Sequence, residues 1–499
     1  MCQVRFVWLL SITLLFLGCT RNVPKDFSEE KRLPLIDPDY VAVTIPPNIA
    51  PLNFTIREPG DAFAVRIRGE TSQAFTVTGK TIDIPLRSWR RLLNDNIGKA
   101  VLLDVYTRQG RAWKKFETIV NPIAADAIDP WISYRLIEPG YETFREVVLN
   151  QRNLENFDEH SFYRNELVSQ RGQCANCHSF QNRRTANMLF HVRRVQDGTI
   201  LIRDGKPEKV DLKVDETVKA GAYPAWHPEL HLVAFSSNDT TQVFHGKSSA
   251  KVEVYDKASE LVLYDIDRNE ISHILNGKND FEIYPAWSQD GNWLYYCCAH
   301  LETPPLAEEE REDWIADNHT KFKYNLLRLA FDRTTKTFGS PEMLVDAASM
   351  NKSATHPRPS PDGRYVMYCL ADFGCFPIWH KESDLWLLDL ETGETCSISE
   401  VNSPDTDSFH NWSSNGRWFV FSSRRDDGSY TRLYFAYFSD SGEISKPFLL
   451  PQKTPFHNIE RLQSYNIPEL MVEPIRVNPH ELLGIVNAEP SRKAVYRKP

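Results

Sequence analysis

The sequence has few of the features that mark a membrane-spanning, nucleic-acid-binding or catalytic protein. Apart from the run that begins the chain, no stretch approaches the ~20 apolar residues of a transmembrane helix. The formal net charge is −9, which argues against nucleic acid as a partner. Neither G-x-S-x-G nor H-E-x-x-H occurs. These absences favour a non-enzymatic role.

The chain begins with a segment that has the features of a bacterial export signal. Arg5 is its only charged side chain, an apolar run extends from Phe6 to Gly18, and Cys19 follows. The run is too short to span a bilayer but suits a signal peptide. Because Gly18 and Cys19 resemble the end of a lipobox, we expect residues 1–19 to direct export and Cys19 to carry the lipid anchor. The alternative is an ordinary secretory signal with an incidental cysteine.

Cysteine is scarce, and its number is informative. Without Cys2 and Cys19 seven cysteines remain, and an odd number cannot all pair in an oxidising compartment. Two of them lie in the stretch "CANCH", residues 174–178. This is the spacing of c-type haem attachment, in which two thiols hold the porphyrin and the following histidine binds the iron.

We therefore predict one covalent haem c held by Cys174 and Cys177, with His178 as an iron ligand. Met188 is the candidate for the second axial ligand and His191 is its alternative, because both types of side chain ligate c-type haem. A local disulfide or redox dithiol is the competing interpretation. A zinc site would need a second ligand pair, and none lies nearby in the sequence.

The first half of the chain contains short alternating runs and a mixed segment. Residues 45–122 hold runs such as "FAVRIRG" and "AVLLDVYTR" between turn residues, which predicts a small β-sandwich. Residues 20–44 are polar and are expected to form a tether. Residues 123–195 are expected to connect two domains, with a helix near "DEHSFYRNELVSQ" and the haem motif on a short helical segment.

The second half repeats itself. Four segments align, "YPAWHPELHLVAFSSN", "YPAWSQDGNWLYYCCA", "HPRPSPDGRYVMYCLA" and "FHNWSSNGRWFVFSS". Trp226, Trp287, Pro359 and Trp412 occupy the same position, 61, 72 and 53 residues apart. A second pair of strand-like runs follows each segment, and four strands per unit with one aromatic at a fixed place predict propeller blades.

These repeats resemble the TolB-type, WD-like propeller, which implies six blades within residues 196–499. The outer two blades would come from residues 191–213 and 470–486. The stretch from CxxCH through "MLFHVR" resembles a unit of Bacteroidetes propeller lipoproteins that carry one haem motif ahead of the blades, and this resemblance favours Met188 as the second ligand.

The expected protein is mainly β, with an N-terminal sandwich, a haem segment and a C-terminal propeller. Its expected role is electron transfer or redox sensing from the periplasmic face of the outer membrane, with a redox partner or envelope protein docked on the propeller. The alternative role is a haem-free scaffold that binds an envelope protein or glycan, with Cys174 and Cys177 as a disulfide.

Overall fold

The computed structural model describes residues 23–138, 146–167, 172–244, 252–302 and 304–498. The expected export signal and Cys19 lie outside the described residues. In the described part of the chain, no helix is long and apolar enough to cross a membrane. Strands dominate, so the prediction of a mainly β fold is confirmed.

Residues 23–127, all of which are described, form a first domain of two sheets and one helix. The elements are β1 (Ser28–Glu30), β2 (Ile36–Asp37), β3 (Phe54–Ile56), β4 (Ala62–Arg68), β5 (Phe75–Thr78), β6 (Thr81–Ile82), α1 (Leu86–Asp95), β7 (Ala100–Gln109), β8 (Ala112–Phe116) and β9 (Ile119–Pro122). The larger sheet has the order β1-β8-β7-β4-β5, with β9 also paired to β7, and the smaller sheet has the order β2-β3-β6.

Two expectations for this domain need correction. Residues 20–44 are not simply a tether, because β1 pairs with β8 and Tyr40 is fully buried. The expected sandwich of strands also contains α1, whose buried Trp89, Leu92 and Leu93 recur at helical spacing on one face. The helix thus fills the core of a domain that was predicted from strands alone.

From residue 131 onward the described chain forms six further sheets. Three strands come first, β10 (Trp131–Ile137), β11 (Val147–Asn153) and β12 (Glu159–Arg164). Blade I follows with β13 (Cys174–Gln181), β14 (Arg184–Arg193), β15 (Gly198–Arg203) and β16 (Lys206–Asp211). Blade II has β17 (Gly221–Trp226), β18 (Leu232–Phe244), β19 (Val252–Asp265) and β20 (Glu270–Leu275).

The later blades follow the same order along the chain. Blade III has β21 (Asp280–Trp287), β22 (Trp293–His300), helix α2 (Glu308–Asp317), β23 (Asn325–Asp332), β24 (Thr337–Phe338) and β25 (Glu342–Val345). Blade IV has β26 (Ser353–Pro359), β27 (Tyr365–Ala371), β28 (Asp384–Asp389) and β29 (Thr395–Ser397). Blade V has β30 (Asp407–Trp412), β31 (Trp418–Ser423), β32 (Arg432–Tyr437) and β33 (Phe448–Leu449).

The two ends of this region together build the last blade. The chain ends with α3 (His457–Glu460), β34 (Ser464–Met471), α4 (Pro479–Asn487), β35 (Arg492–Lys493) and β36 (Val495–Tyr496). Strand β34 pairs with β10, so blade VI has the order β12-β11-β10-β34. Strands β35 and β36 extend blades I and II at their outer edges.

The inner strands of the six blades form a closed ring. Each of β13, β17, β21, β26 and β30 contacts the inner strand of the following blade, and β34 contacts both β30 and β13. Two of the three repeated tryptophans join the blades: Trp287 Nε1 donates to the carbonyl of Ala225 at 3.1 Å, and Trp412 Nε1 to that of Arg358 at 3.0 Å. A six-bladed propeller is therefore the architecture of the described residues.

Several boundaries differ from the expectation. The segment 123–195 is not a connector, because β10–β12 belong to blade VI and β13 and β14 to blade I. The helix expected near Asp158 is replaced by β12 and a single turn of 3-10 helix at Asn165–Leu167. The expected helical haem segment is also wrong, since Cys174–Gln181 is the inner strand of blade I.

A bulge at the same place in every inner strand explains why the motif is extended. Each bulge contains a residue in the left-handed region, which non-glycine residues seldom adopt, and its pairing register shifts there. The six residues, with φ between 47° and 58°, are Cys177, Tyr223, Tyr284, His356, Phe409 and Ile467. The residues that follow them are His178, Pro224, Pro285, Pro357, His410 and Pro468. "CHSF" of blade I is therefore the structural counterpart of "YPAW" in blades II and III.

Candidate functional site

The residues predicted to hold a haem are buried in the inner strand of blade I. Cys174, Cys177 and His178 are 5%, 3% and 1% exposed. Both cysteines of this described strand are free thiols. Burial raises the pKa of Cys174, which keeps this thiol protonated, although Arg135 and Arg193 act in the opposite direction.

His178 is a neutral imidazole packed between blades. Its ring lies 6.0 Å from that of Phe180, and neither ring nitrogen makes a hydrogen bond of good geometry to a described residue, although backbone groups of Ser133 and Ile467 lie close by. Burial and the nearby Arg135 lower its pKa to about 3, while backbone groups of Ser133 and Ile467 act in the opposite direction. The side chain therefore faces blade VI as an uncharged group.

The two candidates for the second axial ligand lie on opposite faces of β14. Met188 is fully buried in the apolar cluster that includes Phe180. His191 contacts the ring of Phe235 in blade II at 5.4 Å, and its Nδ1 lies 2.9 Å from Thr199 Oγ1. Side chains alternate between the two faces of a strand, so Met188 and His191, three residues apart, point to opposite faces of β14. Met188 packs as core and His191 packs between blades I and II.

The motif residues, as placed, do not fit a covalent haem. A porphyrin needs open space beside both sulfurs and over the imidazole. Two cavities of the described chain border the propeller axis near β13, one at each end of the strand. Cys174 lines one of them, but neither cavity is lined by Cys177 or His178. A haem would require blades I and VI to separate, so its presence stays a prediction from sequence.

Among the described residues, no group of three or more His, Cys, Asp or Glu side chains is arranged to hold a metal ion.

The middle of the axis is occupied by side chains from the bulges, whose rings pack in tilted and edge-to-face contacts. The ring of Tyr284 lies 4.5 Å from that of Tyr223 and 3.8 Å from that of His356, which in turn lies 4.7 Å from Phe409. Burial raises the pKa of both tyrosines and lowers that of His356, so all four side chains are uncharged. We call these four residues the aromatic plug.

A cavity of about 480 Å³ opens on the side of the plug where the inner strands begin, and we call it the funnel. Arg135 and Cys174 lie at its buried end, together with Tyr223 of the plug. Other walls come from polar and aromatic side chains of neighbouring blades. The lining residues are Arg135, Ile137, Glu138, Glu146, Val147, Cys174, Asn176, Arg193, Arg194, Tyr223, Thr240, Gln242, Phe244, Val254, Phe376 and Trp379.

An ion-pair network supports the aromatic wall of the funnel. Phe376 precedes a short 3-10 turn that ends at Trp379, and His380 follows it. His380 Nε2 lies 3.1 Å from Glu253 Oε2, and its Nδ1 lies 3.3 Å from Glu382 Oε1. Burial lowers the pKa of His380, but the two glutamates outweigh it and raise that pKa to about 9. A charged imidazole therefore ties the turn to β19 at neutral pH.

The opposite end of the axis holds a smaller cavity of about 130 Å³ with mixed charge. Arg183 there donates from Nε to the carbonyl of Trp412 at 3.1 Å. Burial raises the pKa of Glu469 to about 7, against the influence of Arg358 and Arg183. This cavity is smaller than the funnel, and its Arg183 is engaged in hydrogen bonds with neighbouring blades.

Sequence reasoning missed the residues that shape the funnel. Arg135 lies in a segment that was expected to connect domains, and Phe376 and Trp379 lie in a connection between strands. One signal was present in the sequence: Tyr223-Pro224 and Tyr284-Pro285 recur at the positions that form the plug. Recognising Cys177-His178 as the equivalent pair would have placed blade I.

Comparisons with known proteins give a weak structural likeness. No family model matches the chain, and no curated protein matches it. TolB from Acinetobacter baumannii is similar with a TM-score of 0.40 and 12% identity, over 74% of this chain and 79% of that one. An apocarotenoid oxygenase from Synechocystis has a TM-score of 0.37 and 12% identity, over 88% and 97%. A GH74 enzyme from Niastella koreensis has a TM-score of 0.36 and 10% identity, over 63% and 44%.

Proposed function

We propose that this chain is a binding protein whose propeller holds a small ligand in the funnel. The observation that carries the proposal is the cavity of about 480 Å³ at the axis, within the size range of small-molecule sites. Its floor is the uncharged Tyr223, and Phe376 and Trp379 supply aromatic walls. Such walls with a few polar groups at their base favour binding of a compact organic ligand.

Filling the funnel tests this proposal. Gln242 is exposed at the mouth, and Gln242→Trp would occupy part of the cavity without entering the core. Thr241→Trp is the matched control, because the neighbouring side chain on β18 faces the other side of the strand. A panel of sugars, amino acids and organic acids is screened by the rise in melting temperature of the unsubstituted protein. We expect hits to be lost in Gln242→Trp and kept in Thr241→Trp; hits unaffected by either would place binding elsewhere.

Covalent haem remains the second candidate because Cys174, Cys177 and His178 complete the CxxCH motif. A haem would make the chain an electron-transfer or redox-sensing protein with a redox partner. To test this, the chain is expressed in a host that matures c-type cytochromes and is then denatured. Covalently bound haem is measured from the pyridine haemochrome spectrum. Absence of covalent haem after verified maturation of a control cytochrome would exclude this candidate and leave the binding role.

We further propose that the chain is an exported lipoprotein, anchored through Cys19 with the propeller on the periplasmic face of the outer membrane. Support comes from the apolar run before Cys19, which lies outside the described residues. Radiolabelled palmitate should enter the unsubstituted protein and not Cys19→Ala. Labelling of both proteins would contradict the anchor.

A further inference from the structure

The funnel contains a buried cation whose hydrogen-bonding capacity is largely unused. Arg135 on β10 is 6% exposed and lines the cavity. Its Nη2 donates to Asn466 Oδ1 at 3.3 Å. Nε and Nη1 have no hydrogen-bond partner among the described residues. An arginine in such a position is unusual, because buried guanidinium groups are normally paired.

Glu138 and Glu146 also line the funnel, but neither is among the groups that shift the pKa of Arg135, and the side chains that do so carry no negative charge. Burial raises the pKa of Cys174 and of Tyr223, so both are neutral near pH 7. Arg193 adds a second cation, and its Nη2 donates to the carbonyl of Gly221 at 3.3 Å. The nearby carboxylate of Asp256 is already held by Asn238 and Thr240, at 2.7 and 2.6 Å. The positive charges of Arg135 and Arg193 therefore lie together at this end without a carboxylate paired to Arg135.

Burial of the charged Arg135 side chain is unfavourable in the ligand-free protein. Burial is the main cause that lowers its pKa, which means that the charged form is poorly solvated there. A buried charge without a partner is strongly unfavourable, whereas a carboxylate or phosphate oxygen would satisfy both the charge and the unused donors. The site is thus more complementary to an anion than to water.

We propose that the funnel binds a small organic anion, with its acidic group on Arg135 and its apolar or aromatic body against Tyr223, Phe376 and Trp379. This inference rests on the proposed binding function and adds the chemical class of the ligand. The aromatic walls bury the body of the ligand, while Arg193 at the same end strengthens the field that selects the acidic group.

Three probes of nearly equal shape test the charge requirement. Phenylacetate and phenyl phosphate are anions with a carboxylate and a phosphate group, and phenylacetamide is the neutral counterpart. Their affinities are measured by titration of tryptophan fluorescence at constant ionic strength, since Trp379 lies in the wall. We expect at least one anion to bind about tenfold or more tightly than the amide, and the better anion identifies the acidic group.

Two buried arginines of blade VI provide a matched pair of variants. Arg135→Met removes the unpaired cation, while Arg152→Met removes one whose Nη1 donates to Gln452 Oε1 at 2.5 Å and whose Nη2 donates to the carbonyl of Pro451. We expect Arg135→Met to lose selectivity for the anion and to keep or raise the melting temperature of the free protein. Arg152→Met should keep the selectivity and lower the melting temperature.

Each result bears on one of the two proposals. Equal binding of the anions and the amide, or no binding of any probe, would overturn the anion site. A drop in melting temperature for Arg135→Met as large as that for Arg152→Met would show a structural role instead and overturn it as well. Equal binding that is lost in Gln242→Trp would leave the funnel as a ligand site, whereas anion binding that survives Gln242→Trp would contradict the funnel itself.

Discussion

Replacing His178 by proline separates a structural role of the CxxCH motif from a role in binding haem. His178 occupies the position after the left-handed bulge residue, and four of the six blades have proline there. Those four prolines also follow a residue with positive φ, so the local backbone is compatible with the ring. The bulge lies outside the pairing register of β13, and we expect proline to fit without breaking the ladder.

The magnitude follows from what the imidazole contributes. Its two buried nitrogens lack hydrogen bonds of good geometry, at a cost of at most about 3 kcal/mol, which the substitution removes. Proline restricts the unfolded chain and adds about 0.4–1 kcal/mol of stability where its conformation is compatible. Loss of the ring's packing against Phe180 opposes these gains by about 2 kcal/mol. We expect the free energy of unfolding of His178→Pro to lie within about 2 kcal/mol of the unsubstituted value.

Leu189 provides the control. It lies in β14, which pairs with β13 on one side and β15 on the other, so proline there removes a ladder hydrogen bond. Alanine variants at both positions correct for lost packing. We expect the free energy of unfolding of Leu189→Pro to be at least about 2 kcal/mol lower than that of Leu189→Ala. That of His178→Pro should lie within about 1 kcal/mol of that of His178→Ala.

The assay is urea unfolding followed by tryptophan fluorescence. An equal penalty for proline at positions 178 and 189 would refute the equivalence of Cys177-His178 with the Tyr-Pro pairs. A haem spectrum that is present in the unsubstituted protein and altered in His178→Pro would instead show that His178 binds the haem iron.

Three further predictions concern the blades and their closure. Because the pKa of His380 is raised from 6.5 to about 9, its pairing with Glu253 and Glu382 stabilises the fold fully below pH 6.5, and this contribution is lost as pH rises through 9. In urea unfolding, the free energy of unfolding should fall by at most about 3 kcal/mol between pH 6.5 and 9. An equal fall in Glu253→Gln would contradict the assignment of this pH dependence to the His380–Glu253 pair. Trp412→Phe should lower the free energy of unfolding by about 1–3 kcal/mol because the carbonyl of Arg358 loses its donor. Trp226→Phe is the control and should lower it less, because Trp226 Nε1 has no partner among the described residues. Equal losses would refute a stabilising role of the Trp412 hydrogen bond. A chain that ends at residue 463 lacks β34, so limited proteolysis should cut β10–β12 rapidly; protection equal to that of the full chain would show that blade VI does not need β34.

The sequence predicted blades II to V well because their inner strands repeat one pattern, in which the tryptophans of blades III and V join neighbouring blades. A tryptophan that donates to the carbonyl of the preceding blade must lie at one place in the inner strand, and Trp287 and Trp412 both do so. The pattern was therefore a direct consequence of blade packing and predicted a propeller, whereas the number of six blades came from the resemblance to TolB-type propellers.

Blades I and VI were harder to predict because their signatures are altered. Blade I has Cys177, His178 and Phe180 where blade II has Tyr223, Pro224 and Trp226, and a CxxCH motif favours cofactor chemistry over a strand. Blade VI combines strands from the two ends of the propeller region. No local pattern shows that "YNIPELM" near residue 467 pairs with residues 131–137.

The candidate site could not be predicted either, because its residues are far apart in the sequence. Arg135 is a single cation in an apolar strand, and its surroundings come from Cys174, Tyr223 and Asn466. Only the closed ring brings these residues together, because β34 must pair with β10 before Asn466 reaches the guanidinium. The aromatic wall arises from a turn in blade IV, which also contains no repeated pattern.

Closure and binding should therefore be coupled. Within the described residues, the hydrogen bond of Arg135 goes to Asn466 on β34, so the anion site is complete only when blade VI is closed. A ligand that binds only the closed propeller stabilises it in proportion to the logarithm of its concentration over its dissociation constant. The strain of an unpaired buried cation at the closing seam is thus relieved by the ligand, and occupancy of the funnel should favour the ring in which β34 remains paired.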